Sequence, residues 1–316
     1  MFLHTLNPQP LIFQFGFLKI HWYGLVIAIA VSIGLIVAIK LNQKYKEKNI
    51  IVFKNKDQIL DLCFYLVIFG LVGARIYEVF LFFPFYLKDP LAIFKIWNGG
   101  LAIHGVILAG ILTVIIFARK HKTDLYLSLD LLVPALTLGQ AIGRWGNYFN
   151  QELFGLPTNL SWGIPIDLAH RPIGYENFSF FHPTFLYESL LSFALAGVLI
   201  FLHCRRLAKL DATQRCPTPK GVSDTCATPS PRGSLSAEDS REELQYGQNT
   251  KSYQKGNIVL IYLIGYSLIR FSLEFIKIDE TPLALGLRWP QAVSLVLIAA
   301  AGVFLFKNTK RNNTVK

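Results

Sequence analysis

Seven long stretches of this chain are almost free of charge, and nothing constrains its fold more. A bilayer's hydrocarbon core is about 30 Å thick, so roughly 20 residues of α-helix cross it. Trp22–Ile39 runs 18 residues without a formal charge. Six further runs cover Leu62 to about Phe85, Leu101–Ala118, Leu125 to about Phe149, Phe185–His203, Ile258–Phe275 and Ala292–Phe306, the last entered through Pro290. They are continuous rather than alternating, which predicts helices and not the strands of a membrane barrel. Hydrophobic residues make up 53% of the 316 and charged residues 16%, against roughly 25% charged in a soluble domain. A water-soluble globule cannot hide that much apolar surface, and a disordered chain would not carry it. The expected fold class is an all-α integral membrane protein, a single polytopic domain over 1–316 built as a bundle of seven transmembrane helices. With no basic region before the first run and no small-residue cleavage site after it, a removable signal peptide is not expected.

The chain carries a formal net charge of +11, from 31 Lys plus Arg against 20 Asp plus Glu. Such a balance suits either nucleic acid or the inner face of a membrane, and placement decides between them. Seven crossings put twenty-two of the 31 basic residues on one side and six on the other. The positive-inside rule then leaves the N-terminus outside and the C-terminus cytoplasmic, and no nucleic acid is needed. Residues 150–183, with several prolines and aromatics, are expected to form a small outer cap between helices 4 and 5. Residues 207–254 include CPTPKGVSDTCATPSPRGSLSAEDSREE, too poor in large apolar residues to build a core, and are expected to be a disordered cytoplasmic insertion between helices 5 and 6. Cys63, Cys204, Cys216 and Cys226 form no CxxC pair, so neither a metal site nor a disulfide framework is expected. Three of them lie in or beside the insertion, on the reducing side, and are expected as thiols.

The remaining three basic residues, Arg75, Arg144 and Arg270, lie inside apolar runs, where a charge costs about 2.5–3.5 kcal/mol. Alternating topology puts each in the outer half of its helix, together with Tyr23 and His104. Five polar side chains from five helices are thus expected at one depth. Each also has an ordinary structural reading. Arg75 with Glu78 is an i,i+3 pair and Arg270 with Glu274 an i,i+4 pair. Arg144 can snorkel to the headgroups, His104 can be a packed residue, and Tyr23 beside Trp22 can belong to the interfacial belt. Asp130 and Glu188 read as helix-terminal or helix-bridging groups, and Gly139, Gly143 and Gly146 as close helix packing.

Taken together these residues suit an anionic lipid, because arginine's planar fork matches phosphate. A histidine beside it can accept a proton near neutral pH. No GxSxG, HExxH or P-loop is present, and Cys63 falls in the inner half of its helix. The nucleophile is therefore expected on a second substrate. The alternative is an anion or lipid transporter using the arginine cluster, although neither repeated halves nor paired broken helices are visible. A purely structural scaffold leaves the shared depth unexplained.

The run Gly143-Arg144-Trp145-Gly146-Asn147-Tyr148-Phe149-Asn150-Gln151-Glu152-Leu153-Phe154-Gly155 resembles the signature of bacterial prolipoprotein diacylglyceryl transferases. His21-Trp22-Tyr23-Gly24, Gly73-Ala74-Arg75, Trp97-Asn98-Gly99-Gly100 through His104-Gly105, His182-Pro183 with Tyr187-Glu188, and Gly265-Tyr266 through Arg270-Phe271 to Glu274-Phe275 agree with it. Tyr148 and Val106 depart from the pattern, where the family usually has Phe and Gly. The resemblance implies a multi-pass enzyme of the bacterial cytoplasmic (inner) membrane, with its site toward the outer leaflet. It would transfer the diacylglyceryl group of phosphatidylglycerol to the lipobox cysteine of a prolipoprotein signal peptide. The products would be a thioether and glycerol phosphate, with no metal or other cofactor. It further implies His104 as the base with Tyr23 assisting, and Arg144 and Arg270 on the phosphate. Asn147, Asn150 and Glu152 would orient the headgroup and arginines, with Arg75 and Tyr266 lining the cavity.

Overall fold

The computed structural model describes residues 8–16, 18–214, 255–278, 283–284 and 286–313. Two short strands, β1 (Leu11–Phe15) and β2 (Leu18–His21), lead into helix α1 (Trp22–Lys46). There follow α2 (Lys56–Leu81), the short α3 (Phe83–Lys88), α4 (Ile103–His121), α5 (Leu125–Phe149), α6 (Thr184–Gln214), α7 (Asn257–Leu273) and α8 (Trp289–Asn313). Among the described residues six helices, α1, α2, α4, α5, α6 and α8, are long and apolar enough to cross a membrane. The chain is a multi-pass membrane protein.

Expected and observed ends differ in an instructive way. The seventh run was expected to be the shortest, but α8 has 25 residues and α7 only 17. At 1.5 Å per residue α7 rises about 26 Å. Helices α1, α6 and α8 all continue past their apolar runs, since a backbone ladder once begun needs no further apolar side chains to propagate. In α6 this carries the helix through 207–214, which corrects the first eight residues of the expected disordered insertion. The rest of that expectation, 215–254, lies outside the described residues, as do Cys216 and Cys226.

The described residues are mostly helical, with three short strand pairs beside the helices. Besides β1–β2, antiparallel pairs form between β3 (Ile164–Pro165) and β4 (Phe180–Phe181) and between β5 (Leu283–Ala284) and β6 (Leu287–Arg288). Strands of two to five residues are too short for alternation to betray them.

The chain forms two compact units, Ala38–Leu131 and Met1–Val37 with Leu132–Lys316. In the first, α2 packs on α4 where Gly73 meets Gly105. A Cβ on Gly73 would fall 2.7 Å from the Gly105 carbonyl oxygen, so only glycine permits this backbone approach. Val106 is accommodated because it faces Gly70, where even an added Cβ would stay 3.5 Å from its Cγ1. Asn42 closes the turn after α1, donating to Phe53 O at 3.2 Å and accepting from Phe53 N at 3.1 Å.

In the second unit Tyr148 and Phe154 pack with Ile164, Ile166, Phe181 and Phe185. This core ties the end of α5 and the start of α6 to the β3–β4 pair in the 150–183 segment. A neighbouring cluster of Val133, Leu199, Ile258 and Tyr262 joins α5, α6 and α7. Helices α5, α6 and α7 therefore present fixed faces to one another, which is what positions the site.

Candidate functional site

Three side chains meet where those helices converge. Arg144 of α5 donates from Nη2 to Glu188 Oε1 of α6 at 2.5 Å and to the Tyr266 hydroxyl of α7 at 3.3 Å. Tyr266 in turn donates to Glu188 Oε1 at 3.3 Å. The other carboxylate oxygen, Oε2, lies 3.6 Å from Arg270 Nη1. Glu188 thus holds two arginines on two different helices. Arg270 also approaches Glu274 Oε2 at 4.0 Å, and Glu274 Oε1 lies 3.8 Å from Arg288 Nη1. Three guanidinium groups alternate with two carboxylates, so the row carries one net positive charge. Both carboxylates are buried, Glu188 at 2% and Glu274 at 1% exposure. Buried charge at that level requires opposite charge around it.

One turn along each helix lies a second polar tier. Gln140 donates to the Tyr262 hydroxyl at 2.8 Å, and Tyr262 stacks on Tyr266 with ring centroids 5.8 Å apart. The i,i+4 spacing of 140 with 144 and of 262 with 266 puts both tiers on the same helix faces. The upper tier therefore rests on a hydrogen-bonded floor. Arg144 Nε has no hydrogen-bond partner among the described atoms.

The end of α5 builds the neighbouring wall. Asn147 donates to Glu152 Oε1 at 2.7 Å and Asn150 to the same oxygen at 3.4 Å. Gln151 anchors the loop by donating to Asp167 at 2.7 Å and to Pro8 O at 2.9 Å. Two glycines of the Gly143–Gly155 run are required by close approach. A Cβ on Gly146 would lie 2.5 Å from Cδ2 of the Tyr23 ring, and one on Gly155 only 2.8 Å from Ile276 O. Gly146 lets Tyr23 lie on α5, where Glu152 and Arg144 are both within electrostatic reach of it. Gly155 lets the chain pass between His182 and the 276–277 segment, with Leu156 N donating to Ile276 O at 2.8 Å. Tyr148 stacks on Phe185 at 4.9 Å, but its buried hydroxyl has no partner among the described atoms.

His104 and Arg75 belong to the unit Ala38–Leu131. His104 lies in the first turn of α4, exposed, with its ring 5.7 Å from Tyr77 and no hydrogen bond or ion pair among the described residues. Among the described residues the Arg75–Glu78 pair that the spacing allows is not made. Arg75 donates instead to four backbone carbonyls, Ala92 at 2.5 Å, Ile93 at 2.9 Å, Gly99 at 2.8 Å and Gly100 at 2.7 Å. Its guanidinium also lies 5.2 Å from the Tyr86 ring centroid. With five N–H donors in all, only one remains, so no bidentate edge is open to a phosphate.

Of the five side chains expected at one depth, Arg144 and Arg270 share this row, while Tyr266 was implied only by the family resemblance. Glu188 and Glu274 occur in apolar runs at the arginines' own depth, and that coincidence was the available signal. Gln140, Tyr262 and Arg288 carried no such signal. Among the described residues no group of three or more His, Cys, Asp or Glu side chains is arranged to hold a metal ion.

The family model described as prolipoprotein diacylglyceryl transferase matches residues 10–215 and 244–307, which include every member of the charge row. A relative from Synechocystis sp., named phosphatidylglycerol–prolipoprotein diacylglyceryl transferase, is 38% identical over 300 residues, covering 94% of this chain and 89% of its own. Relatives of the same name from Parasynechococcus marenigrum and Synechococcus sp. are 37% and 39% identical over 310 residues. They cover 95% of this chain and 94% and 93% of theirs. On a match that runs through both the Gly143–Gly155 loop and the arginine–carboxylate row, this chain belongs to the prolipoprotein diacylglyceryl transferase family.

Proposed function

We propose that this chain transfers the diacylglyceryl group of phosphatidylglycerol to the lipobox cysteine of a prolipoprotein signal peptide. The observation that carries this reading is the row from Arg144 through Glu188, Arg270 and Glu274 to Arg288. Its single net positive charge matches the single negative charge of a phosphodiester. Glu188 occupies one edge of each arginine and leaves other guanidinium nitrogens to bind phosphate oxygens.

In the reaction the cysteine thiol loses its proton, and the sulfur attacks the glyceryl carbon that carries the phosphate ester. The carbon–oxygen bond breaks, its electron pair leaves on glycerol phosphate, and the thioether remains. A free thiol ionises near pH 8.5, so a base raises the thiolate fraction at neutral pH. We assign His104 as that base, with Tyr23 assisting. Arg144 and Arg270 hold the phosphate and stabilise charge growing on the leaving oxygen. Tyr266 keeps Arg144 and Glu188 in register, and Asn147, Asn150 and Glu152 shape the headgroup wall. Arg75 serves by fixing the 92–100 segment that leads into α4, rather than by touching lipid.

We further propose seven crossings, α7 included, with the N-terminus outside and the site toward the outer leaflet of the bacterial cytoplasmic membrane. The bias of twenty-two basic residues against six supports it. Incubation of the purified protein in detergent with phosphatidylglycerol and a lipobox peptide tests the activity. A mass gain of one diacylglyceryl group on cysteine is expected. No lipidated peptide, under conditions that keep a cyanobacterial relative active, overturns the proposal.

A further inference from the structure

We infer that Arg288 is a positioning residue for the phosphate-binding arginines, acting on Arg270 through Glu274. This rests on the reading of Arg270 as a phosphate ligand. Arg288 lies on β6, in a connection where its charge otherwise passes for one of several scattered surface cations. Its place is fixed from both sides. Its backbone N donates to Gln291 Oε1 at 3.1 Å, and Gln291 is buried. The segment it reaches is pinned too, by the Gly155–Lys277 bridge and by the Leu156 bond to Ile276.

Among the described residues its outward contacts all come from one nitrogen. Nη1 donates to Glu274 O at 2.9 Å and to Lys277 O at 2.8 Å, and lies 3.8 Å from Glu274 Oε1. Glu274 is the C-cap residue of α7, so Arg288 puts a cation where the helix dipole is negative and satisfies the carbonyl at the helix end. The charge does something further. Glu274 is shared between Arg288 and Arg270, as Glu188 is shared between Arg270 and Arg144. Without Arg288 more of the Glu274 charge falls on Arg270. The i,i+4 pair then tightens, and the guanidinium is drawn along its own helix away from Glu188. The two arginines lose their common register and phosphate is held less well.

Three variants separate the charge from the carbonyl bonds. Arg288→Lys keeps both on a single nitrogen, Arg288→Gln keeps a donor without the charge, and Arg288→Met keeps neither. The expected result is a KM for phosphatidylglycerol raised on the order of tenfold in Arg288→Gln and Arg288→Met, the loss of one partly buried charge contact. Values of kcat should stay within about twofold, and Arg288→Lys should resemble the parent. Binding of phosphatidylglycerol by native mass spectrometry should weaken in the same order. An unchanged KM and lipid affinity in Arg288→Gln overturns the inference, as does a loss confined to kcat and shared equally by Gln and Lys. A parent protein that binds the lipid in this order of variants but lipidates no peptide refutes the proposed reaction and leaves the positioning role standing.

Discussion

Arg144 Nη2 donates to Glu188 Oε1 across 2.5 Å, from α5 to α6, and this bond decides how the charge of the site is shared. Because one Glu188 oxygen is taken by Arg144, the other is left to Arg270 at 3.6 Å. Removing either member leaves a buried charge facing too little of the opposite sign. Arg144→Met and Glu188→Met should each destabilise the folded protein by about 3–5 kcal/mol, whereas the double replacement should cost less than their sum. Thermal unfolding in detergent reads the stabilities. Turnover should be lost in all three, since stability can return with apolar packing but phosphate binding cannot.

His104→Ala should lower the rate of peptide lipidation by about 10²–10⁴-fold at neutral pH, the usual range for a lost general base. The deficit has a sign in pH. As pH rises through about 8.5 the cysteine ionises unaided, so parent and variant rates should converge. A near-normal rate at pH 7, or a ratio that does not change with pH, means that another group removes the proton.

Tyr148→Phe should raise the thermal midpoint. The ring already packs on Phe185, while the hydroxyl is buried without a partner among the described atoms. Relief of an unsatisfied polar group is worth about 1–3 kcal/mol. A lower midpoint would mean that the hydroxyl is satisfied in the membrane protein.

The family's matched sequence stops at residue 215 and resumes at 244. Deleting 216–243 and joining the ends through a short Gly/Ser linker should therefore leave kcat and KM within about twofold, because nothing shared with the family is removed. The lipidation assay checks this, and a folded but inactive deletion refutes it.

The membrane class was legible because lipid imposes so strict a rule: every spanning backbone group must pair internally, so continuous apolar length announces a helix. Trp22 as the start of α1 and Leu125 as the start of α5 emerged from hydropathy. Helix continuation to Gln214 and Asn313 did not, since hydropathy records where lipid ends and not where the backbone ladder ends. The short strand pairs escaped for lack of length. At the site, Arg144 and Arg270 stood out because a charge in an apolar run needs a reason, whereas Tyr266 was legible only through the family resemblance.

Sequence alone determined that this chain lives in a membrane, that arginines lie within its apolar runs, and which family signature it carries. All of these are properties of residue type and spacing along one dimension. Only the tertiary structure decided who neutralises whom. Glu188 had equal claim in sequence to being a helix-terminal group, and Arg75 to pairing with Glu78. The fold instead put Glu188 between two arginines and turned Arg75 onto four carbonyls. Partner choice among buried charges depends on which helix faces meet and where a glycine such as Gly146 or Gly155 admits a neighbour. That is set by packing in three dimensions, where residues more than forty positions apart share one carboxylate.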